Sequence, residues 1–233
     1  MSPQIRAFIW DVDGTLAETE EAHRLSFNEA FAAAGLGWDW DRAAYRRLLL
    51  TTGGKERIRA HANAVGLALA DEQIRALHAD KTRRYTRMVA EGRVALRPGV
   101  TEMIAKGRAA GIAQAIATTT SRPNIDALVE AAFAQPADRV FDVIAAGDEV
   151  ITKKPAPDVY LLALSRLELA AADCIAFEDS RPGAASARAA GLRIVLTPSA
   201  YTEGDDFGAV DWMIAGLDAP LPLDLARQLG CSV

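Results

Sequence analysis

Two aspartates separated by a single residue, Asp11 and Asp13, close a short apolar run over residues 5–10 and lead into Gly14. Other reactive side chains recur after similar runs. Thr118, Thr119, Thr120 and Ser121 follow residues 112–117; Lys153 and Lys154, in Lys-Lys-Pro-Ala-Pro-Asp, come after residues 143–146; Glu178 and Asp179 follow residues 174–177. If these groups meet, the carboxylates repel one another strongly unless a cation sits among them or one keeps its proton. Magnesium suits such a place, because it takes a couple of carboxylates together with phosphate oxygens and water, while hydroxyls and a lysine hold the remaining phosphate oxygens. A carboxylate such as Asp11 is then a competent nucleophile toward phosphorus.

Four such ends meet only if the runs are neighbouring strands. They are short, apolar and end abruptly in polar residues, and two more lie at 193–196 and 212–214. Helical periodicity fills the gaps, at 100–110, 124–133, 158–167 and 183–190. That alternation predicts right-handed crossovers and a doubly wound parallel sheet, an α/β, Rossmann-like core that binds ligands beyond the carboxyl ends of its strands. Residues 17–90 carry helical periodicity only, so the expected division is a core of residues 1–16 and 91–233 with an inserted helical cap at 17–90, Pro98-Gly99 marking the return to the core. Phe27, Phe31 and Ala34 share one predicted cap face, and Ile74, Leu77, Tyr85 and Met88 another. Lys81 falls on the second stripe, where a lysine either snorkels or meets a buried anion. Gly53 and Gly54 open a cap helix beside Lys55, leaving backbone N–H groups free to face an anion.

Competing readings fit less well. A calcium loop beginning at Asp11 wants glycine at its sixth place and an acid at its twelfth, where Leu16 and Ala22 stand. Gly54-Lys55 is followed by Glu56, so no P-loop forms, and Gly35-Leu36-Gly37 lacks the third glycine of a dinucleotide fingerprint. A net charge of −5 provides no overall positive field for nucleic acid or an anionic membrane, and no apolar stretch is long enough to span one. The two cysteines, Cys174 and Cys231, form neither a disulfide framework nor a zinc motif, which fits a reducing, cytoplasmic setting. No obligate protein partner is expected.

The segment Asp11-Val12-Asp13-Gly14-Thr15-Leu16 resembles the signature of the haloacid dehalogenase superfamily of phosphohydrolases, and Thr118, Lys154 and Phe177-Glu178-Asp179-Ser180 match its later motifs in order. The resemblance covers essentially the whole chain, including a cap inserted after the first motif. It implies that Asp11 becomes an aspartyl phosphate, that Asp13 protonates the leaving oxygen and then activates water, and that Thr118 and Lys154 bind the transferring phosphoryl group. It also implies Mg²⁺ held by Asp11, the backbone carbonyl of Asp13, and Asp179, with Glu178 a ligand or a partner of one. The Gly-Gly-Lys-Glu-Arg loop at 53–57 and the Thr-Thr-Thr-Ser-Arg segment at 118–122 are similar to those of CbbY-type sugar-bisphosphate phosphatases, relatives of β-phosphoglucomutase. That family removes xylulose 1,5-bisphosphate, a misfire product that inhibits Rubisco of the Calvin cycle, by dephosphorylation at carbon 1. On that likeness Glu20, His23, Gly54, Lys55, Lys81, Ser121 and Arg122, with Thr119 and Thr120, touch the sugar or its distal phosphate. Glu20 and Lys55-Glu56-Arg57 depart from the mutase pattern, which favours hydrolysis over the alternative, a sugar phosphomutase.

Overall fold

A computed structural model describes residues 5–228; Cys231 lies outside them. The sheet has six parallel strands in the order β3-β2-β1-β4-β5-β6. They are β1 (Ala7–Trp10), β2 (Ala113–Ala117), β3 (Val143–Ala145), β4 (Cys174–Glu178), β5 (Arg193–Leu196) and β6 (Trp212–Met213). Helices α1 (Glu20–Ala33), α2 (Arg42–Leu48), α3 (Gly54–Ala64), α4 (Asp71–Ala90) and α5 (Val100–Ala109) separate β1 from β2. Then come α6 (Arg122–Phe133) and the short α7 (Ala137–Val140) before β3, α8 (Asp158–Leu167) before β4, α9 (Arg181–Ala189) before β5, and α10 (Leu223–Gln228) last. The architecture is the doubly wound α/β class expected from the alternation of runs and helices.

Period-two alternation gives the sheet two unlike faces. Ala7, Ile9, Ala115, Ala117, Ala145 and Ala176 line one, whose small side chains let α8 and α9 approach through Val159, Tyr160, Ala163, Ala184 and Ala187. Phe8, Trp10, Ile116, Ile175 and Phe177 line the other and bury against residues of α5 and α6. Trp10 stacks on Phe177 with ring centroids 4.0 Å apart, which ties β1 to β4 on that face. Register does the positioning. Trp10 lies level with Ile116 of β2 and Phe177 of β4, so the chain leaves β1 at Asp11 beside Glu178 and just short of the level of Thr118.

The four helices α1 to α4 form a compact layer over that edge. Phe27, Phe31, Trp40, Tyr45, Ile58, Ile74 and Leu77 make its core, with Tyr85 and Met88 buried in a second cluster. Ala34 does not join Phe27 and Phe31, because α1 ends at Ala33 and Ala34 lies exposed beyond it. The chain passes between sheet and helices twice, and the two passages lie side by side where Ala17 bridges both Asp13 and Leu96. Among the described residues no helix is long and apolar enough to cross a membrane.

Candidate active site

Three buried acids meet at the carboxyl edge. One ligand atom from each of Asp11, Glu178 and Asp179 lies within 4.8 Å of the others. Lys154 Nζ donates to Asp11 Oδ1 at 2.6 Å and to Glu178 Oε1 at 2.7 Å, and the Tyr160 hydroxyl donates to the same Glu178 oxygen at 2.5 Å. Burial pushes the Asp11 carboxyl up to about 7, more than the Lys154 ammonium brings it down. Asp179 is pushed well above the usual range by burial and by the charges of Asp11 and Glu178. Three carboxylates facing one lysine leave negative charge that a divalent cation offsets. Two details fit such an ion. Glu178 Oε2 is buried without a hydrogen-bond partner, and Gly14, at φ +83°, leaves the Asp179 carboxylate space that a β-carbon would fill, approaching Oδ2 to 2.1 Å.

Asp13 faces the other way, toward the helical layer. Its Oδ1 accepts from the Thr19 hydroxyl at 2.6 Å and from His23 Nε2 at 2.9 Å, while Lys81 Nζ lies 2.6 Å from His23 Nδ1. These contacts are all satisfied by a neutral imidazole with its proton on Nε2: Lys81 donates to Nδ1, and Nε2–H donates to Asp13. Burial and the neighbouring Lys81 bring His23 down to about 4, consistent with that neutral ring. Burial alone would raise Asp13, but the His23 ring, the Thr19 hydroxyl and Lys81 hold it below the ordinary carboxylate range. Lys81 itself is brought down to about 7 by burial and lies 5.0 Å over the Phe27 ring. Its place on the apolar stripe of α4 thus ends at an imidazole.

Glu20 lies beside this chain of groups, accepting from the Tyr45 hydroxyl at 3.0 Å; Arg57 Nη1 in turn donates to that hydroxyl at 2.9 Å. Burial pushes Glu20 up to about 7 despite Arg57. After β2, Thr118 is buried with its Oγ1 3.3 Å from the amide of Thr120, and Ser121, at the start of α6, has a buried hydroxyl without a partner. Asn124 holds the Thr120 hydroxyl at 2.9 Å.

A single cleft between sheet edge and helical layer is lined by Asp11, Asp13, Glu20, His23, Gly54, Lys55, Lys81, Thr118, Thr119, Thr120, Ser121, Lys154 and Asp179. Glu178 lies beneath its floor, fully buried. Lys55 spans the cleft to Asp148 at 3.0 Å, and the Thr52 hydroxyl donates to the backbone carbonyl of Lys154. Arg122 is not part of the lining. The first turn of α6 turns its guanidinium onto Asp126 at 2.7 Å and Asp138 at 2.5 Å, so its neighbourhood in sequence to Ser121 does not carry it into the cleft. Arg57, His78, Lys153, Ser199, Tyr201 and Thr202 line the cleft although sequence reading did not assign them to a site. Arg57 closes the Gly-Gly-Lys-Glu-Arg loop at 53–57, and that place in the loop is the local signal that points to the cleft. Lys153 belongs to the Lys-Lys pair that follows β3, and the others reach the cleft through tertiary contacts that no local pattern records.

A profile of haloacid dehalogenase-like hydrolases matches residues 5–191. The chain is 60% identical over 216 residues to protein CbbY of Rhodobacter capsulatus, spanning 93% of this chain and 95% of that one. The crystal structure of CbbY from Rhodobacter sphaeroides in complex with phosphate superposes with a TM-score of 0.89 at 49% identity, over 92% of this chain and 95% of that one. A mutant of the same protein in complex with xylulose-(1,5)bisphosphate superposes equally well, with a TM-score of 0.89 at 48% identity over 92% and 95% of the two chains.

Proposed function

The chain belongs to the haloacid dehalogenase-like hydrolases and is a phosphatase of that family, and from this premise we propose that it removes one phosphate from a sugar bisphosphate, xylulose 1,5-bisphosphate first among them. The observation that carries the proposal is the cleft itself. One end holds a buried carboxylate bonded to a lysine, as in-line attack on a phosphoryl group needs, and the other end brings Lys55 and Arg57 from the helical layer toward a second anion.

In this reading Asp11 attacks phosphorus, forming a carboxyl O–P bond while the P–O bond to the sugar breaks and a proton from Asp13 goes to the departing oxygen. Water then attacks the aspartyl phosphate, Asp13 takes its proton, and the bond to Asp11 breaks to release inorganic phosphate. Lys154 and the Thr118 hydroxyl hold the equatorial oxygens as charge spreads over them. Asp11, Asp179 and the Asp13 carbonyl, with Glu178 beside them, would hold Mg²⁺, which would supply the charge that lets two anions meet. The hydrogen bonds on Asp13 favour its ionised form, the one needed to take a proton from water. Its acid step draws on the bound phosphate, whose negative charge raises a neighbouring carboxyl's affinity for a proton.

Residues 17–90 act as a cap that closes on the core of residues 1–16 and 91–233 and excludes water. The setting is cytoplasmic, and the role is clearance of a Rubisco inhibitor. Acid quenching during turnover tests the covalent step. A peptide containing Asp11, heavier by one phosphoryl group and absent in Asp11→Asn, is expected by mass spectrometry. Turnover with no phosphorylated peptide at any quench time contradicts the mechanism.

A further inference from the structure

The turn that follows β5 touches the carboxylate cluster and the helical layer at once. On its inner side, the Thr202 hydroxyl donates to the backbone carbonyl of Asp179 at 2.8 Å and lies 3.5 Å from Asp179 Oδ2. Ser199 holds that hydroxyl from behind: its backbone N–H donates to Thr202 Oγ1 at 2.9 Å, and the two hydroxyl oxygens are 3.0 Å apart. Both side chains are buried. On its outer side, Tyr201 leaves the sheet domain altogether. Its hydroxyl donates to the Glu21 carboxylate of α1 at 2.5 Å, its ring meets Tyr45 of α2 edge-on with centroids 5.9 Å apart, and it packs against the aromatic cluster of the helical layer.

Neighbouring residues repeat the attachment. The Ala200 N–H donates to Glu18 at 3.3 Å, and Arg46 of α2 reaches the carbonyl of Glu203 at 2.7 Å and the carboxylate of Asp205 at 2.6 Å. The turn is short and closed by its own hydrogen bonds, Thr202 N–H and Glu203 N–H both donating to the Ser199 carbonyl, at 3.1 and 2.9 Å. A displacement of Tyr201 therefore cannot be absorbed before Thr202, the next residue. A rigid element whose position both sites bias is what energetic coupling between them requires.

We infer that the 199–202 turn couples seating of the helical layer to the orientation of Asp179, with Tyr201, at the cleft's edge, as a positioning residue. The inference rests on the reading of Asp179 as a metal ligand, and the test separates the two. Binding of Mg²⁺ alone is measured by calorimetry for the wild type, Tyr201→Phe, Glu21→Ala, the double variant and Asp179→Asn, with thermal melts confirming folding. Tyr201→Phe keeps the ring and removes only the hydroxyl, so it folds if the wild type does. It and Glu21→Ala should each weaken Mg²⁺ binding by roughly five-fold or more, and the double variant should weaken it no further than the worse single one. Wild-type Mg²⁺ affinity in Tyr201→Phe alongside a raised KM for the sugar bisphosphate would make Tyr201 a docking contact only and overturn the coupling. Equal Mg²⁺ binding by wild type and Asp179→Asn would overturn the metal site and the coupling together.

Discussion

Asp11 and Asp13 are the same side chain two residues apart, yet their surroundings push them in opposite directions. Burial lifts Asp11 to about 7 against the pull of Lys154, whereas His23, Thr19 and Lys81 hold Asp13 low. On the proposed roles, a metal ion beside Asp11 would hold that carboxyl ionised, as a nucleophile must be, and the ionised Asp13 is the form that accepts a proton from water. Asp11→Asn, which keeps the shape and removes the charge, should abolish phosphate release while circular dichroism stays unchanged. Asp13→Asn should slow release from sugar phosphates by about 10² to 10⁴-fold, the usual worth of a positioned proton donor. Its deficit should shrink on an aryl phosphate with an acidic leaving group, which needs less protonation; an equal deficit on both would assign Asp13 another role. Lys81 donates to His23 rather than standing free at the far wall, so Lys81→Met should release the tautomer that aims Nε2–H at Asp13. A loss in kcat of at least about ten-fold on sugar bisphosphate and aryl phosphate alike is expected. A loss confined to the bisphosphate would assign Lys81 to the distal phosphate instead.

At the scale of elements, the ends of β1, β2 and β4 were legible because an apolar run gives way to Asp-x-Asp-Gly, Thr-Thr-Thr-Ser or Glu-Asp, although β4 runs on through the buried Glu178. Right-handed crossovers narrow the possible sheet orders without fixing one, and the register that sets Asp11 beside Glu178 comes from the pairing of β1 with β4. What the helices do to one another was less legible. His23 and Lys81 are 58 residues apart on α1 and α4, and only the packing of those helices tells that the lysine on an apolar stripe ends on an imidazole. Arg122 shows the reverse: one residue beyond Ser121, it belongs to a different face of α6. His78, on α4, lies against Gly54 of α3, where a β-carbon would approach the ring to 2.6 Å. Burial, with Lys81 and Lys55 nearby, brings this imidazole down to about 3. Unfolded, it takes a proton near about pH 6.5, so below that pH the unfolded chain binds more protons and stability falls. The wild-type melting temperature minus that of His78→Phe should therefore decrease as pH drops from about 6.5 toward 4, since only the wild type carries this titration. A constant difference across that range would mean that His78 charges as readily folded as unfolded.

Across the whole molecule, the same cleft wall is built twice, from the sheet edge below and from α1, α3 and α4 above, and contacts such as Lys55 to Asp148 and Tyr201 to Glu21 cross between them. A phosphate bound at Asp11 would sit against the sheet edge. A second phosphate, reaching the cations of the helical side, would favour closure by binding energy that a monophosphate cannot provide. The central claim is therefore about substrate, and one measurement tests it most directly: inorganic phosphate released from xylulose 1,5-bisphosphate, with and without Mg²⁺, beside xylulose 5-phosphate under the same conditions, with Asp11→Asn as the blank. The account predicts Mg²⁺-dependent release of one phosphate per bisphosphate, a sugar monophosphate left behind, and a far lower kcat/KM on the monophosphate. Release that is equal on the two sugars, or rearrangement of the bisphosphate with no phosphate freed, would contradict it.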